Sequence, residues 1–391
     1  MIQKILEILH ECCVDVYSIC ETGRETAELF FIKKNLDMRR KTKTDDIVVT
    51  VYRDFVINGE NYRGNASFNV SPSTSDKELK AKCKKAYMAA KFVPNKFYDL
   101  APAKKAECFE VESDLNGIGI EQAASKFVNA VYKEDTDENA FINSAEFFDV
   151  RDKVRIVNSN GVDVSYIKNN VNGEFVVQCK NPQDVETHQS FSYDDLNTKE
   201  ISELVRNTLK LTKDRAKAVE APKAGKYDIV LSGKYVDTVL GYYKDRANGA
   251  YVYQQYSDYE TGKEIGADIN VEYVPTVPYS SEGVLMKNLV CIENGKLKNM
   301  HANCRYAYYL GMKPTGVYSK ISVQPGDMSF DDMKAHKGLY VVNFSDFQMD
   351  SLSGFFGGEI RLAYYNDGEK IVPVTGGSVN GTIIDAQKDF E

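Results

Sequence analysis

The chain has 391 residues, with 57 acidic and 49 basic side chains, a formal net charge of −8, 25 tyrosines and no tryptophan. Such a length exceeds one ordinary core, so two or three folding units are expected. The acidic balance, without a strong basic stripe, argues against nucleic acid as the main partner, and no apolar run reaches the ~18 residues that cross a bilayer.

At the start, Ile2, Ile5, Leu6, Leu9 and Cys13 recur at helical spacing. Glu7 and Glu11 interrupt the apolar pattern, and the basic opening and cleavage site of a signal peptide are missing. The eight cysteines (Cys12, Cys13, Cys20, Cys83, Cys108, Cys179, Cys291 and Cys304) never form a C-x-x-C pair, which predicts reduced core residues in a cytoplasmic protein. Strands are expected over 27–34, 45–56 and 62–70, with Asn58-Gly59-Glu60 as a turn. Ser75 followed by Glu78 reads as a capping box for a helix reaching about Phe92.

A second round follows. A helix over 119–134 precedes strands at 145–159, 162–169 and 174–180, joined by the turn sequences NSNG and NNVNG, with His188 in a polar loop beyond them. A long helix from Asn197, its predicted N-cap, closes this half. Two rounds of strands and helix suggest an internal duplication. The stretch VEAPKAGK then marks a boundary, giving an N-terminal α+β domain over 1–219 and a C-terminal domain over 220–391.

The C-terminal part opens on a short strand, Ile229–Leu231, turning into a helix with Ser232 as its expected N-cap. Short β-like runs follow at 249–257, 265–275, 283–300, 317–326, 338–346 and 358–374, separated by Gly, Pro, Asn and Asp. Helices are expected at 301–311 and 328–338, each closed by a glycine. The fold class is therefore α+β: repeated antiparallel strands plus helices, then a mostly antiparallel β domain, curved or barrel-like.

Self-sufficient catalytic patterns are missing. His10, His188, His301 and His336 form no metal motif, and His301 and His336 read as surface or helix-end residues. There is no G-x-S-x-G elbow and no phosphate loop. The nearest thing to a ligand cluster is Cys291, His301 and Cys304, with His336 as a further candidate for a diverged metal site. Tyrosine crowds into the C-terminal domain, which suits half-buried sheet faces or a peptide-binding surface.

In order along the chain, APKAGKYDIVLS, YSSEGVLMKNLVCIENGKLKN, ANCRYAYYLGMKPTG, QPGDMSFDDM, KGLYVVNFS and GGEIRLAYYNDGEKIVPV resemble the motif succession of the TldD/TldE (PmbA) family, once called modulators of DNA gyrase. Upstream, RGNASFNVS and FDVRDKVRIVNSNGVDVSY resemble that family's R-G-x-A strand and N-S-x-G hairpin. The resemblance implies a zinc-protease fold in which TldD-type subunits carry H-E-x-x-x-H on the helix after the first C-terminal strand. Here Gly241, Tyr242 and Arg246 occupy those places.

The resemblance thus implies a TldE-like chain in a cytoplasmic metalloprotease system acting on unfolded peptides. No metal or other cofactor is expected in this chain, and zinc is expected only in a TldD-type sister subunit paired with it as a heterodimer. Glu282, Gly283, Thr315, Gly316 and Gly354 fall on matched loops and are the expected substrate-channel residues. The alternative is a homodimeric or larger self-assembled peptide-binding scaffold that keeps the fold without protease activity. Neither membrane nor direct nucleic-acid contact is expected.

Overall fold

A computed structural model of the chain describes residues 1–390. Helix α1, Ile2–Glu11, buries Ile2, Ile5, Ile8 and Leu9. Cys13, expected on that stripe, instead lies beyond the helix, exposed at φ 56°, and Val14 enters the core. Strands β1 (Val16–Ile32), β2 (Asn35–Ile57) and β3 (Glu60–Val70) form an antiparallel meander, much longer than their apolar segments. Helix α2, Asp76–Ala90, starts at Ser75, whose hydroxyl accepts the Glu78 amide at 3.3 Å as the capping pattern predicts.

Strand β4, Lys104–Glu110, was not foreseen; it pairs in parallel with β6. Then come α3 (Ile120–Glu134), β5 (Ala140–Asn158), β6 (Val162–Cys179), β7 (Val185–Tyr193) and α4 (Thr198–Ala216). Here NNVNG is not a turn. It lies inside the continuous strand β6, and the third strand is β7, which carries His188. Gly173 explains this: a Cβ on it would sit 2.0 Å from the Glu146 carbonyl oxygen, so the glycine permits close strand packing rather than a reversal. Asn197 stands at the start of α4 but makes no side-chain cap.

Together these strands form one seven-stranded sheet ordered β3-β2-β1-β5-β6-β4, with β7 also on β6. The two rounds meet where β1 and β5 pair antiparallel, from Ser18 opposite Asn158 to Ile32 opposite Ser144. Helices α1 and α2 cover one end through Ile5, Leu9, Leu79 and Cys83. Helices α3 and α4 cover the other through Phe127, Val131, Ile201 and Val205. Each such side chain contributes about 1.5–3 kcal/mol when fully buried, so the layers hold the sheet by area rather than by any single bond.

The C-terminal part comprises β8 (Val219–Glu220), β9 (Ile229–Val230), α5 (Lys234–Arg246), α6 (Gly249–Tyr253), β10 (Val271–Val274), β11 (Leu289–Glu293), β12 (Lys296–Leu297), α7 (Cys304–Tyr309), β13 (Lys320–Val323), α8 (Phe330–Ala335), β14 (Gly338–Met349), β15 (Phe355–Asn366), β16 (Ile371–Thr375), β17 (Ser378–Thr382) and α9 (Ile383–Ala386). One sheet runs β12-β11-β10-β13; the other runs β8-β16-β15-β14-β9, with β17 on β15. The fold is α+β with mostly antiparallel strands curling into a half-barrel. Among the described residues no helix is long and apolar enough to cross a membrane.

Three local expectations fail here. The run from Gly249 is the helix α6, not a strand, because the Asn248 side chain accepts the Ala250 amide at 2.9 Å and caps it. Ser232 does not cap α5; Gly233 does, at φ 56°, while the Ser232 hydroxyl pairs with that of Tyr340 at 3.1 Å. Gly311, at φ 66°, ends α7 as expected, but Gly338 enters β14 against Asp228, and α8 stops at His336.

The cysteines divide: Cys83, Cys179, Cys291 and Cys304 are buried, while Cys13 and Cys108 are exposed, and none of the eight is in a disulfide. The first sheet meets the C-terminal part through Val154, Ile156, Val162 and Val164, which with Ala101 of the loop before β4 pack on Tyr279 and Cys304. Polar ties seal the contact: Tyr279 donates to Glu107 at 2.5 Å and Tyr364 to Asp214 at 2.6 Å.

Candidate functional site

The turn from β9 into α5 is held from both sides. Strand β9 runs parallel to β14 through Leu339 and Tyr340. Tyr235, on the first turn of α5, packs on Phe344 and Phe347 and accepts the Phe344 amide at 3.0 Å. One turn further, Val239, Tyr242 and Tyr243 are buried in the C-terminal core. Burial of the aromatic face, not a side-chain cap, therefore fixes the helix.

The three positions that the resemblance sets against a zinc motif, Gly241, Tyr242 and Arg246, are residues of another kind. Gly241 presents no side chain, and a Cβ there would meet nothing within 4 Å. Tyr242 turns inward, edge-on to Tyr243 at 5.5 Å and beside Gly354. Arg246 pairs with Asp258 at 2.8 Å, donates to the Tyr256 carbonyl, and lies near the rings of Tyr242 and Tyr259. Zinc needs thiolate, neutral imidazole or carboxylate donors; a glycine, a buried phenol and a paired guanidinium do not fit it. Because the space beside Gly241 is open and its backbone helical, Gly241→Ala is expected to raise stability by about 0.5–1 kcal/mol, read by urea unfolding.

Nor do the alternative ligands converge: among the described residues no three His, Cys, Asp or Glu side chains are placed to share an ion. Cys291 and Cys304 are buried thiols whose pKa values are raised, chiefly by loss of solvation, to about 12 for Cys291. His336 is exposed. His301, expected at the surface, is 1% exposed. Its Nδ1 accepts the Tyr318 amide at 3.2 Å, which leaves Nε2 to donate to the Lys244 carbonyl at 3.1 Å. Burial pulls its pKa down to about 4.

A histidine held neutral in this way stabilises the fold fully above its unfolded pKa of ~6.5. That contribution fades as pH falls toward 4, because the unfolded chain takes up the proton first. Acidification from pH 7 to 4 is expected to remove up to about 3 kcal/mol at this residue, a loss absent from His301→Gln in a pH series of urea titrations.

The expected channel residues fall into two groups. Glu282, Gly283, Thr315 and Gly316 come together. Glu282 accepts the Cys304 amide at 2.8 Å at the start of α7, and Thr315 accepts the Ala302 amide at 3.0 Å. Gly283, at φ 82°, presses on Val162 of the first sheet, where a Cβ would lie 2.5 Å from that side chain. Glu282 and Gly316, with Thr22, Tyr279 and Asn303, line a cavity of about 250 Å³ between the first sheet and the C-terminal loops.

Gly354, by contrast, sits with α5, where a Cβ would lie 2.9 Å from Ile383. The two groups are joined through His301 and Ala302. His301 exchanges backbone bonds with Ala247 and Gly249 after α5, while the Ala302 carbonyl accepts from Thr315 and Gly316. Sequence reasoning missed Asn303, which caps α7 by accepting the Tyr306 amide at 3.0 Å; it falls inside the helix expected from His301, and its preference for the N-cap position was the available sign.

Residues 224–391 match a family profile described as the PmbA/TldA metallopeptidase C-terminal domain. A curated relative described as a metalloprotease, from Methanothermobacter thermautotrophicus, is 27% identical over 224 residues, which is 50% of this chain and 48% of that protein. The chain thus spans about half the length of that relative. Among solved structures, TldE from Thermococcus kodakarensis superposes with a TM-score of 0.79 at 15% identity, covering 98% of this chain and 92% of that one. A proposed modulator of a DNA gyrase from Thermotoga maritima gives a TM-score of 0.77 at 15% identity, covering 99% and 94%. At such identity these structures show the shared fold. With the profile, the relative and the motif succession read from the residues, they lead to one assignment: residues 224–391 belong to the PmbA/TldA family of metallopeptidase C-terminal domains, on a chain that has the fold of TldE throughout.

Proposed function

We propose that this chain is the non-metal-binding, TldE-like subunit of a cytoplasmic metallopeptidase system, paired with a TldD-type sister that holds the zinc. The observation that supports the reading is the chemistry of α5: Gly241, Tyr242 and the Asp258-bound Arg246, which the motif resemblance sets against the family's ligands and base, offer no zinc donor. A zinc bound in that sister would lower the pKa of its water to ~7 and polarise the scissile carbonyl. This chain's own part is to support and shape the path of an unfolded peptide, with Glu282 and Gly316 on the wall of the inter-layer cavity. An extended peptide docking by its backbone needs such a wall more than it needs a catalytic group.

The test is to mix this chain with a sister bearing H-E-x-x-x-H and measure mass by light scattering and hydrolysis of an unstructured peptide. A complex holding the two chains in equal numbers that cleaves the peptide is the expected result. Self-association alone in the presence of the sister would refute the subunit role.

A further inference from the structure

Strand β2 leaves a long open edge. β3 pairs only with Ile47–Ile57, and β1 lies on the other side, so Asn35–Asp46 has a strand on one side only among the described residues. Every residue of that segment is exposed except Thr42, which is half-buried. Open edges are commonly blunted by charged side chains, lysine above all, by proline, by bulges or by a covering element. Here the sign changes along the edge: Arg39, Arg40, Lys41 and Lys43 are followed by Asp45 and Asp46.

Such a gradient is complementary to itself when reversed. With a two-fold axis at Lys43, an antiparallel copy places Arg40 opposite Asp46, Lys41 opposite Asp45 and Thr42 opposite Thr44. Symmetry makes each of these pairs twice. An axis at Lys41 would instead set Arg39 against Lys43 and Asp37 against Asp45. The two Lys43 side chains at the axis are drawn back, each held by Glu25 of its own sheet at 2.8 Å. Arg40 is likewise steadied by Glu28 at 2.7 Å. The ladder stops at Asp46 because β3 occupies the edge from Ile47 onward. An unfolded peptide brings no fixed charge pattern, so this edge selects for its own sequence.

We propose that the open edge of β2 pairs with a second copy of this chain, antiparallel about Lys43, and continues the seven-stranded sheet across a two-fold axis. The inference does not rest on the proposed subunit role, since it is read on this chain alone. Sedimentation of the full chain at low salt should show a dimer. Making the edge all basic (D45K/D46K) or more acidic (K41E/K43E) should each weaken self-association at least about tenfold, with circular dichroism unchanged, and mixing the two variants should restore a dimer. In a Cys13→Ser, Cys108→Ser background, Lys43→Cys should form an intermolecular disulfide on mild oxidation, while Glu60→Cys, beyond the open edge, should not. A monomeric wild-type chain, a dimer indifferent to both charge changes, or no cross-link at residue 43 would overturn the proposal.

Discussion

Gly173→Ala is expected to cost more than about 3 kcal/mol and to prevent stable folding at elevated temperature. The new methyl would lie 2.0 Å from the Glu146 carbonyl oxygen and 2.9 Å from the Phe191 ring, with backbone on one side and core on the other. Gly173 is paired with Phe147 of β5 and Phe191 of β7, so relief would have to part the centre of the sheet. A thermal melt compares it with Gly117→Ala, in open surroundings at φ 79°, where a cost of only about 1 kcal/mol is expected. Equal losses in both would show that close strand packing is not what Gly173 provides.

Asp149→Asn is expected to gain stability at neutral pH and to flatten the pH dependence. Asp149 lies on β5, 2% exposed, under α3, and one carboxylate oxygen has no partner. Loss of solvation raises its pKa to about 7, and the Ala124 amide opposes the shift without cancelling it. The folded state therefore holds a proton between pH ~3.9 and 7 that the unfolded chain has released, so stability declines as pH rises through that window. After discounting for the solvation the group retains, the decline is about 2–4 kcal/mol. Urea titrations at pH 4.5 and 8 should show it in a His301→Gln background, where the opposite trend of His301 is removed, and not when Asp149→Asn is added. A parallel decline in both would place the cause elsewhere.

The residues that announced their structure did so through local rules. The stripe Ile2, Ile5 and Leu9 specified α1, Ser75 and Glu78 specified the start of α2, and NSNG specified the β5–β6 hairpin. The failures share another cause. Gly173 looks like a turn residue in isolation; only its neighbours across two strands show that it serves close packing. The tyrosines after Gly249 alternate like a strand, yet the cap from Asn248 and the bond to His301 wind them into a helix. His301 looked exposed because its partners, Lys244 and Tyr318, are distant in sequence.

The site was legible in a similar, partial way. That Gly241, Tyr242 and Arg246 lie on one helix could be read from the sequence, but that Tyr242 is buried and Arg246 is tied to Asp258 could not. That Glu282 and Gly316 share a cavity wall while Gly354 belongs to α5 depended on tertiary packing. The extra β4 escaped notice because its seven residues gain their order from a parallel neighbour, β6, and not from their own pattern.

If this chain serves a peptidase without holding its metal, elemental analysis of the purified chain after zinc loading and desalting, run with an assay on an unstructured peptide, should give substoichiometric zinc and no hydrolysis by the chain alone. One tightly held zinc per chain, with cleavage that a chelator abolishes, would contradict it.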